Sequence, residues 1–137
     1  MITIIDYGMA NLASVRKAFE TVGSKARISD RPEDLPGSSH VVLPGVGAFG
    51  DSMKNICARG MDVAIREVIA QGIPFLGICV GLQALFTIGE EKGTHQGLNI
   101  FQGRVPVFTE GLVPQIGWNQ VHFLREDPLL ADITNHS

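Results

Sequence analysis

Apolar residues fall in three short runs, and between the runs they recur every three or four positions. The runs are Ile2-Thr3-Ile4-Ile5, Val41-Val42-Leu43 and Phe75-Leu76-Gly77-Ile78. They have strand length and little polar interruption, as expected of strands covered on both faces in a parallel sheet. Between the first two, Leu12, Val15, Phe19 and Val22 share one side of a helix that Gly23 stops. Met61, Ala64, Ile65, Val68 and Ile69 do the same in a helix from Met61 to Gln71, ahead of Gly72 and Pro74. The order strand, helix, strand, helix, strand predicts right-handed crossovers and an α/β fold, a doubly wound, mostly parallel open sheet. Ligands of such sheets bind beyond the carboxyl ends of the strands. The loops Asp6-Tyr7-Gly8 and Pro44-Gly45-Val46-Gly47 and the segment around Cys79 each follow a strand directly and should meet on that rim.

After Gly93 the pattern changes. Gly103 to Phe108 and Gln115 to Leu124 read as β-like, with Gly111 and Pro114 between them, which predicts an antiparallel excursion. Arg125 to Ser137 reads as turn, or as a short helical piece around Leu129, Leu130 and Ile133. With 137 residues, 45% hydrophobic and 18% charged, the chain fits one globular domain, residues 1–137. A net charge of −3, with no basic cluster longer than Arg16-Lys17, gives no reason to expect nucleic acid or an anionic membrane as partner. The apolar start is too short and lacks the basic flank of a signal peptide, and no apolar run reaches membrane-spanning length. Cys57 and Cys79 stand far apart in unlike contexts, so a reducing, cytoplasmic setting is expected rather than a disulfide framework.

The chemistry concentrates in Gly77-Ile78-Cys79-Val80-Gly81. G-x-C-x-G is the thiol counterpart of the nucleophile elbow, a strained strand-to-helix turn in which flanking glycines let neighbouring backbones pass. Such a turn lifts Sγ out of the sheet and sets it at a helix N-terminus, which favours the thiolate. A buried structural cysteine is the plainer alternative, but it would need no such turn. Cys57, within Asn55-Ile56-Cys57-Ala58, lacks these features and is expected to serve packing. The loop around Gly45 and Gly47 lacks the lysine and spacing of a phosphate cradle. It fits an oxyanion loop, in which an N–H near Val46 and the Val80 N–H face a developing negative charge; a glycine turn chosen for shape accounts for the loop equally well. Gln83, four residues after Cys79, shares its helix face and is placed either to hold a polar substrate group or to make a structural hydrogen bond. A thiol nucleophile needs a histidine base oriented by a carboxylate. None of His40, His95, His122 and His136 has a setting that suits it, and no metal-ligand spacing occurs.

Taken together these segments resemble the class I (triad) glutamine amidotransferases, flavodoxin-like in fold. More narrowly they resemble the glutaminase subunits of imidazole glycerol phosphate synthase. The resemblance rests on Ile5-Asp6-Tyr7-Gly8-Met9-Ala10-Asn11-Leu12, Leu43-Pro44-Gly45-Val46-Gly47-Ala48-Phe49, Pro74 to Gln83, Gly103-Arg104-Val105 and Ile116-Gly117-Trp118-Asn119. It implies that Cys79 attacks the side-chain amide of glutamine and that Val46 and Val80 N–H groups hold the oxyanion. It further implies that Gly45, Gly47 and Gln83 contact substrate, and that no cofactor or metal takes part. It implies a TIM-barrel cyclase as partner in a heterodimer, which receives the ammonia for histidine biosynthesis, with Asn11 and Trp118 facing it. Ala10, Val80 and Leu82 are small departures from the family pattern. The larger one is that the resemblance runs out before the family's later segment with the triad histidine and glutamate, so the domain is expected to be C-terminally incomplete and this chain inactive by itself. Another elbow-cysteine hydrolase of the same fold, or a non-catalytic binding partner, are the competing readings.

Overall fold

The computed structural model describes residues 1–111, 113, 114 and 116–134, which form two compact units, 1–107 and 108–137. The first holds a four-stranded sheet built from β1 (Ile2–Ile5), β2 (Ala26–Ser29), β3 (His40–Leu43) and β4 (Phe75–Gly77). All pairings are parallel, in the order β2-β1-β3-β4. The connections are α1 (Leu12–Thr21) after β1, and α2 (Phe49–Ala58) with α3 (Met61–Ala70) between β3 and β4. The expected doubly wound sheet is therefore present, with β2 as an additional edge strand that the apolar pattern had not marked.

The register explains where the core lies. Thr3 pairs with Val41 and Ile4 with Val42, and Val42 pairs with Leu76. Alternation then puts Ile5, Val41 and Leu43 on one face, where they pack with Phe49, Met53 and Ile56 of α2 and Met61, Ile65 and Val68 of α3. The opposite row Ile4, Val42, Leu76 goes from 0% through 2% to 46% exposed toward the β4 edge. On that face α1 turns Leu12, Val15 and Phe19 inward only partly and contains no buried residue.

β2 escapes the hydrophobic pattern because its polar residues are used internally. Arg27 Nε donates to the Thr3 hydroxyl (2.9 Å), Arg27 Nη2 to the Asp34 carbonyl (2.6 Å), and the Ser29 hydroxyl to the Asp34 carboxylate. Asp34 closes a 3₁₀ turn, Pro32–Asp34.

Beyond β4 comes a single helical turn, α4 (Val80–Gln83), then β5 (Phe86–Gly89), β6 (His95–Gln96) and β7 (Phe101–Val105). These strands form a second sheet, β6-β5-β7, with β5 antiparallel to β6 and parallel to β7. The antiparallel step expected further along the chain thus falls at β5–β6, and the strand expected at Gly103 to Phe108 is β7, paired parallel. Of the stretch Gln115 to Leu124, expected to be β-like, Gln115 lies outside the described residues and 116–124 contain no strand, with Gly117 interrupting the alternation. In the second unit the tail forms one 3₁₀ turn, Pro128–Leu130, capped by the Asp127 side chain on the Leu129 N–H (3.0 Å).

Candidate active site

Because the four strands run parallel, the loops after β1, β3 and β4 leave one rim of the sheet, and Gly45 shows how closely they meet. A Cβ placed on Gly45 would lie 2.7 Å from Gly81 N, 2.7 Å from Tyr7 Oη and 3.0 Å from Val80 Cβ. The three loops that the pattern sends to one rim are therefore in contact around a single buried glycine.

The elbow has the strained geometry that its sequence demands. Cys79 has φ 56° and ψ −118°, a region an L-residue occupies at a cost on the order of 1–3 kcal/mol unless its surroundings hold it there. They do. Ile78 N–H donates to the Leu43 carbonyl (3.0 Å), Gly81 N–H to the Ile78 carbonyl (3.0 Å), and Leu82 and Gln83 N–H to the Cys79 carbonyl (3.0 and 3.1 Å). The flanking glycines are required by close approach: a Cβ on Gly77 would meet Leu82 Cα at 2.6 Å, and one on Gly81 would meet the Leu43 carbonyl carbon at 2.7 Å. The Cys79 thiol is exposed, standing as N-cap of α4. That helix is one turn long, and the N–H groups of Gly81, Leu82 and Gln83 are already taken by the Ile78 and Cys79 carbonyls.

The assigned oxyanion donors differ in state. Val80 is the first residue of α4, so its N–H has no intrahelical acceptor. The Val46 N–H donates to the Met9 carbonyl at 3.1 Å, so it serves an oxyanion only after giving up that bond. Gly47 takes φ +88°, a backbone state suited to glycine, with Met9 Cε against it. Gly45 is buried by its neighbours, so its missing side chain serves packing of the three loops. Gln83, half-buried, ends α4.

The other singled-out residues are distributed as follows. Asn11 is exposed, but its side chain caps α1, accepting from the Ser14 N–H at 3.3 Å. Trp118 is fully exposed in the second unit. Cys57, expected to pack, instead lies exposed on α2. Partial burial, then the Asp62 carboxylate, push its thiol up from the usual range, with Arg66 opposing. His40 opens β3, at the far end of the sheet from Cys79. The His95 ring occupies the space a Gly50 side chain would need, and its Nε2 lies 3.4 Å from the Lys92 carbonyl. His122 lies in the second unit, and His136 falls outside the described residues. Among the described residues no group of His, Cys, Asp and Glu could hold a metal ion, and no helix is long and apolar enough to cross a membrane.

Two residues at this rim had no assigned role in the sequence. Glu91, following β5, accepts the Phe49 N–H at 3.1 Å and so caps α2, whose own N-cap, Ala48, has no side chain for the task. Tyr7, wholly buried, directs its hydroxyl beneath Gly45. The sequence marks Glu91 only as one of an acidic pair in a polar loop.

Residues 3–136 match the family described as glutamine amidotransferase class-I. The imidazole glycerol phosphate synthase subunit HisH of Syntrophotalea carbinolica is 50% identical over 141 residues, 97% of this chain and 68% of that protein. The chain belongs to the class-I glutamine amidotransferase family. The subunit of the same name from Symbiobacterium thermophilum is 50% identical over 133 residues, and the chain spans 63% of that relative's length. A solved glutamine amidotransferase superposes with a TM-score of 0.63 at 17% identity, covering 77% of this chain and 56% of that one, a likeness of fold. The fold of that structure is shared by the parallel sheet of this chain.

Proposed function

We infer that this chain carries the nucleophile half of a glutaminase site that supplies ammonia to a synthase partner. The observation that carries the reading is Cys79, exposed and held at positive φ at the head of α4, with the Gly45 loop packed against the elbow, in a class-I amidotransferase chain.

The Cys79 thiolate attacks the side-chain amide carbon of glutamine. The carbonyl π pair moves onto oxygen, giving a tetrahedral oxyanion beside the Val80 N–H. Val46 contributes a second donor when its N–H leaves the Met9 carbonyl. Collapse of the oxyanion breaks the C–N bond. The proton taken from the thiol goes to the departing nitrogen, so ammonia leaves and a thioester remains. Water then attacks the thioester through a second oxyanion, releasing glutamate and restoring the thiol. Gln83, with the loop at Gly45 and Gly47, holds the substrate's polar end. A histidine oriented by a carboxylate is the group this chemistry calls on to carry these protons. Ammonia passes to a TIM-barrel cyclase subunit in a heterodimer, a role supported by the synthase-subunit names of the relatives; Asn11 in the first unit and Trp118 in the second are each assigned as contacts to it. The setting is cytoplasmic.

The test is labelling with a chloroketone analogue of glutamine followed by peptide mass mapping. Modification at Cys79, lost in C79S and slowed by excess glutamine, is expected. Preferential modification of Cys57, or labelling indifferent to glutamine, refutes the reading.

A further inference from the structure

Two buried polar atoms make no hydrogen bond of normal geometry among the described residues: Tyr7 Oη and Ser52 Oγ, each on a residue 0% exposed, with the Ser52 hydroxyl the one side chain near enough to engage the phenol weakly. Leaving a buried hydroxyl unpaired costs about 1–3 kcal/mol, and phenylalanine would fill the same space without that cost. The Tyr7 hydroxyl lies under the Gly45 turn, whose missing Cβ would touch both Tyr7 Oη and the elbow atoms Gly81 N and Val80 Cβ. An unsatisfied donor thus sits beside the one turn in the chain that carries a nucleophile.

We propose that Tyr7 is a positioning residue for that nucleophile, its enclosed O–H kept as an unspent dipole for the negative charge that gathers at Cys79. This rests on the reading of Cys79 as the nucleophile. Two features of Tyr7 agree. Burial holds its phenol above the ordinary range, opposed by the Ser52 hydroxyl and reinforced by negative charge at Cys79, so it stays protonated and remains a donor. Two carboxylates near the rim have other partners: Asp6 accepts the Gly8 N–H at 2.9 Å and Glu91 accepts the Phe49 N–H at 3.1 Å; the Arg59 guanidinium lies close to Gly8. The His95 ring is packed on Gly50.

The experiment measures iodoacetamide alkylation of Cys79 in a Cys57→Ser background, from about pH 6 to pH 9, together with thermal melting. Alkylation needs no glutamine turnover. An unreactive Cys79 in the parent therefore points to failure of the proposed function, whereas equal reactivity in parent and variant points to failure of this proposal alone. Tyr7→Phe is expected to slow alkylation about tenfold at neutral pH, the low end for a hydrogen bond to a charged group. The profile should move to higher pH while the melting temperature does not fall. Ser52→Ala, which leaves the phenol in place, should change the rate less. Tyr7 is the chain's one tyrosine, so biosynthetic replacement by 3-fluorotyrosine alters this site alone and keeps the ring. A more acidic phenol is a stronger donor, and the rate should rise. A Tyr7→Phe rate within twofold of the parent, or a fluorotyrosine rate no higher than the parent's, overturns the proposal. So does a loss of stability shared by Tyr7→Phe and Ser52→Ala with alkylation unchanged, which would make the pair purely structural.

Discussion

Gly81→Ala should damage this protein far more than its single added methyl suggests. Gly81 has no left-handed φ, so the substitution meets no backbone penalty of its own. Its new Cβ would lie inside contact distance of the Leu43 carbonyl oxygen and 2.7 Å from the carbonyl carbon. Carbon atoms rest at about 3.5–4.0 Å, so α4 and the end of β3 must part by about 1 Å. The carbonyl being pushed is the acceptor for the Ile78 N–H, at 3.0 Å, the bond that ties the start of the elbow to the sheet. Overpacking of this kind costs about 1–3 kcal/mol, and loss of the bond about 1 more. The sum, roughly 2–4 kcal/mol, is a large share of the stability of a small domain and corresponds to a melting temperature lower by roughly 10 °C or more. Gly37→Ala is the matched control, with nothing within 4 Å of its Cβ and an ordinary φ. Urea denaturation of both variants, with Cys79 alkylation as reporter of the elbow, supplies the test. A Gly81→Ala protein within about 0.5 kcal/mol of the control, alkylating at the parent rate, would refute the argument that close backbone approach fixes this glycine.

Glu91→Ala should cost about 1 kcal/mol through loss of the α2 cap and of a negative charge at a helix N-terminus, and Glu91→Gln less, both read by urea melts. Asn11→Ala should cost a similar amount, whereas Trp118→Ala should leave stability within about 0.5 kcal/mol of the parent. Under the proposed function, weakened cyclase binding in the tryptophan variant would report on the interface, and in the asparagine variant also on a frayed α1. The Ser29 hydroxyl, aided by Arg27 and Arg31 and opposed by partial burial, holds the Asp34 carboxyl below its ordinary range. A lowered folded value means that its contribution is complete above the ordinary carboxylate range and is lost as pH falls through the folded value. The melting difference between parent and Asp34→Asn should accordingly shrink between about pH 6 and pH 2. Under the proposed function, this chain alone should turn glutamine over slowly even with a cyclase present, since general acid–base help is worth about 10²–10⁴-fold. Robust ammonia release dependent on Cys79 would place a base among the histidines it already has.

What was legible in the sequence was whatever a local rule enforces. β1 and β3 are nearly all apolar because a central strand of a parallel sheet has no wet face. The elbow could be read because a positive-φ cysteine between two tightly packed backbones leaves glycine as the residue that fits at Gly77 and Gly81. β2 was missed because Arg27 and Ser29 bond to Thr3 and Asp34, residues that local pattern cannot bring together. Residues 116–124 misled because alternation without a pairing strand makes no sheet. Glu91 and Tyr7 act across 42 and 38 positions respectively, on Phe49 and Gly45 (91 − 49 and 45 − 7), so only the fold reveals them. Cys57 was expected to pack, but it lies on the exposed side of α2.

The two faces of the main sheet are not equally guarded, and that asymmetry has a kinetic consequence. On the α2–α3 face both the strands and the helices contribute buried side chains, whereas α1 covers its face without one buried residue of its own. Amide exchange should therefore follow two clocks. Protons of β1 and β3 should wait for global unfolding, while those of α1 should escape through a cheaper opening that peels one helix away and leaves the rest standing. Because Asn11 begins that helix and Met9, just before it, holds the Val46 N–H, the breathing of α1 reaches the rim where Cys79 stands.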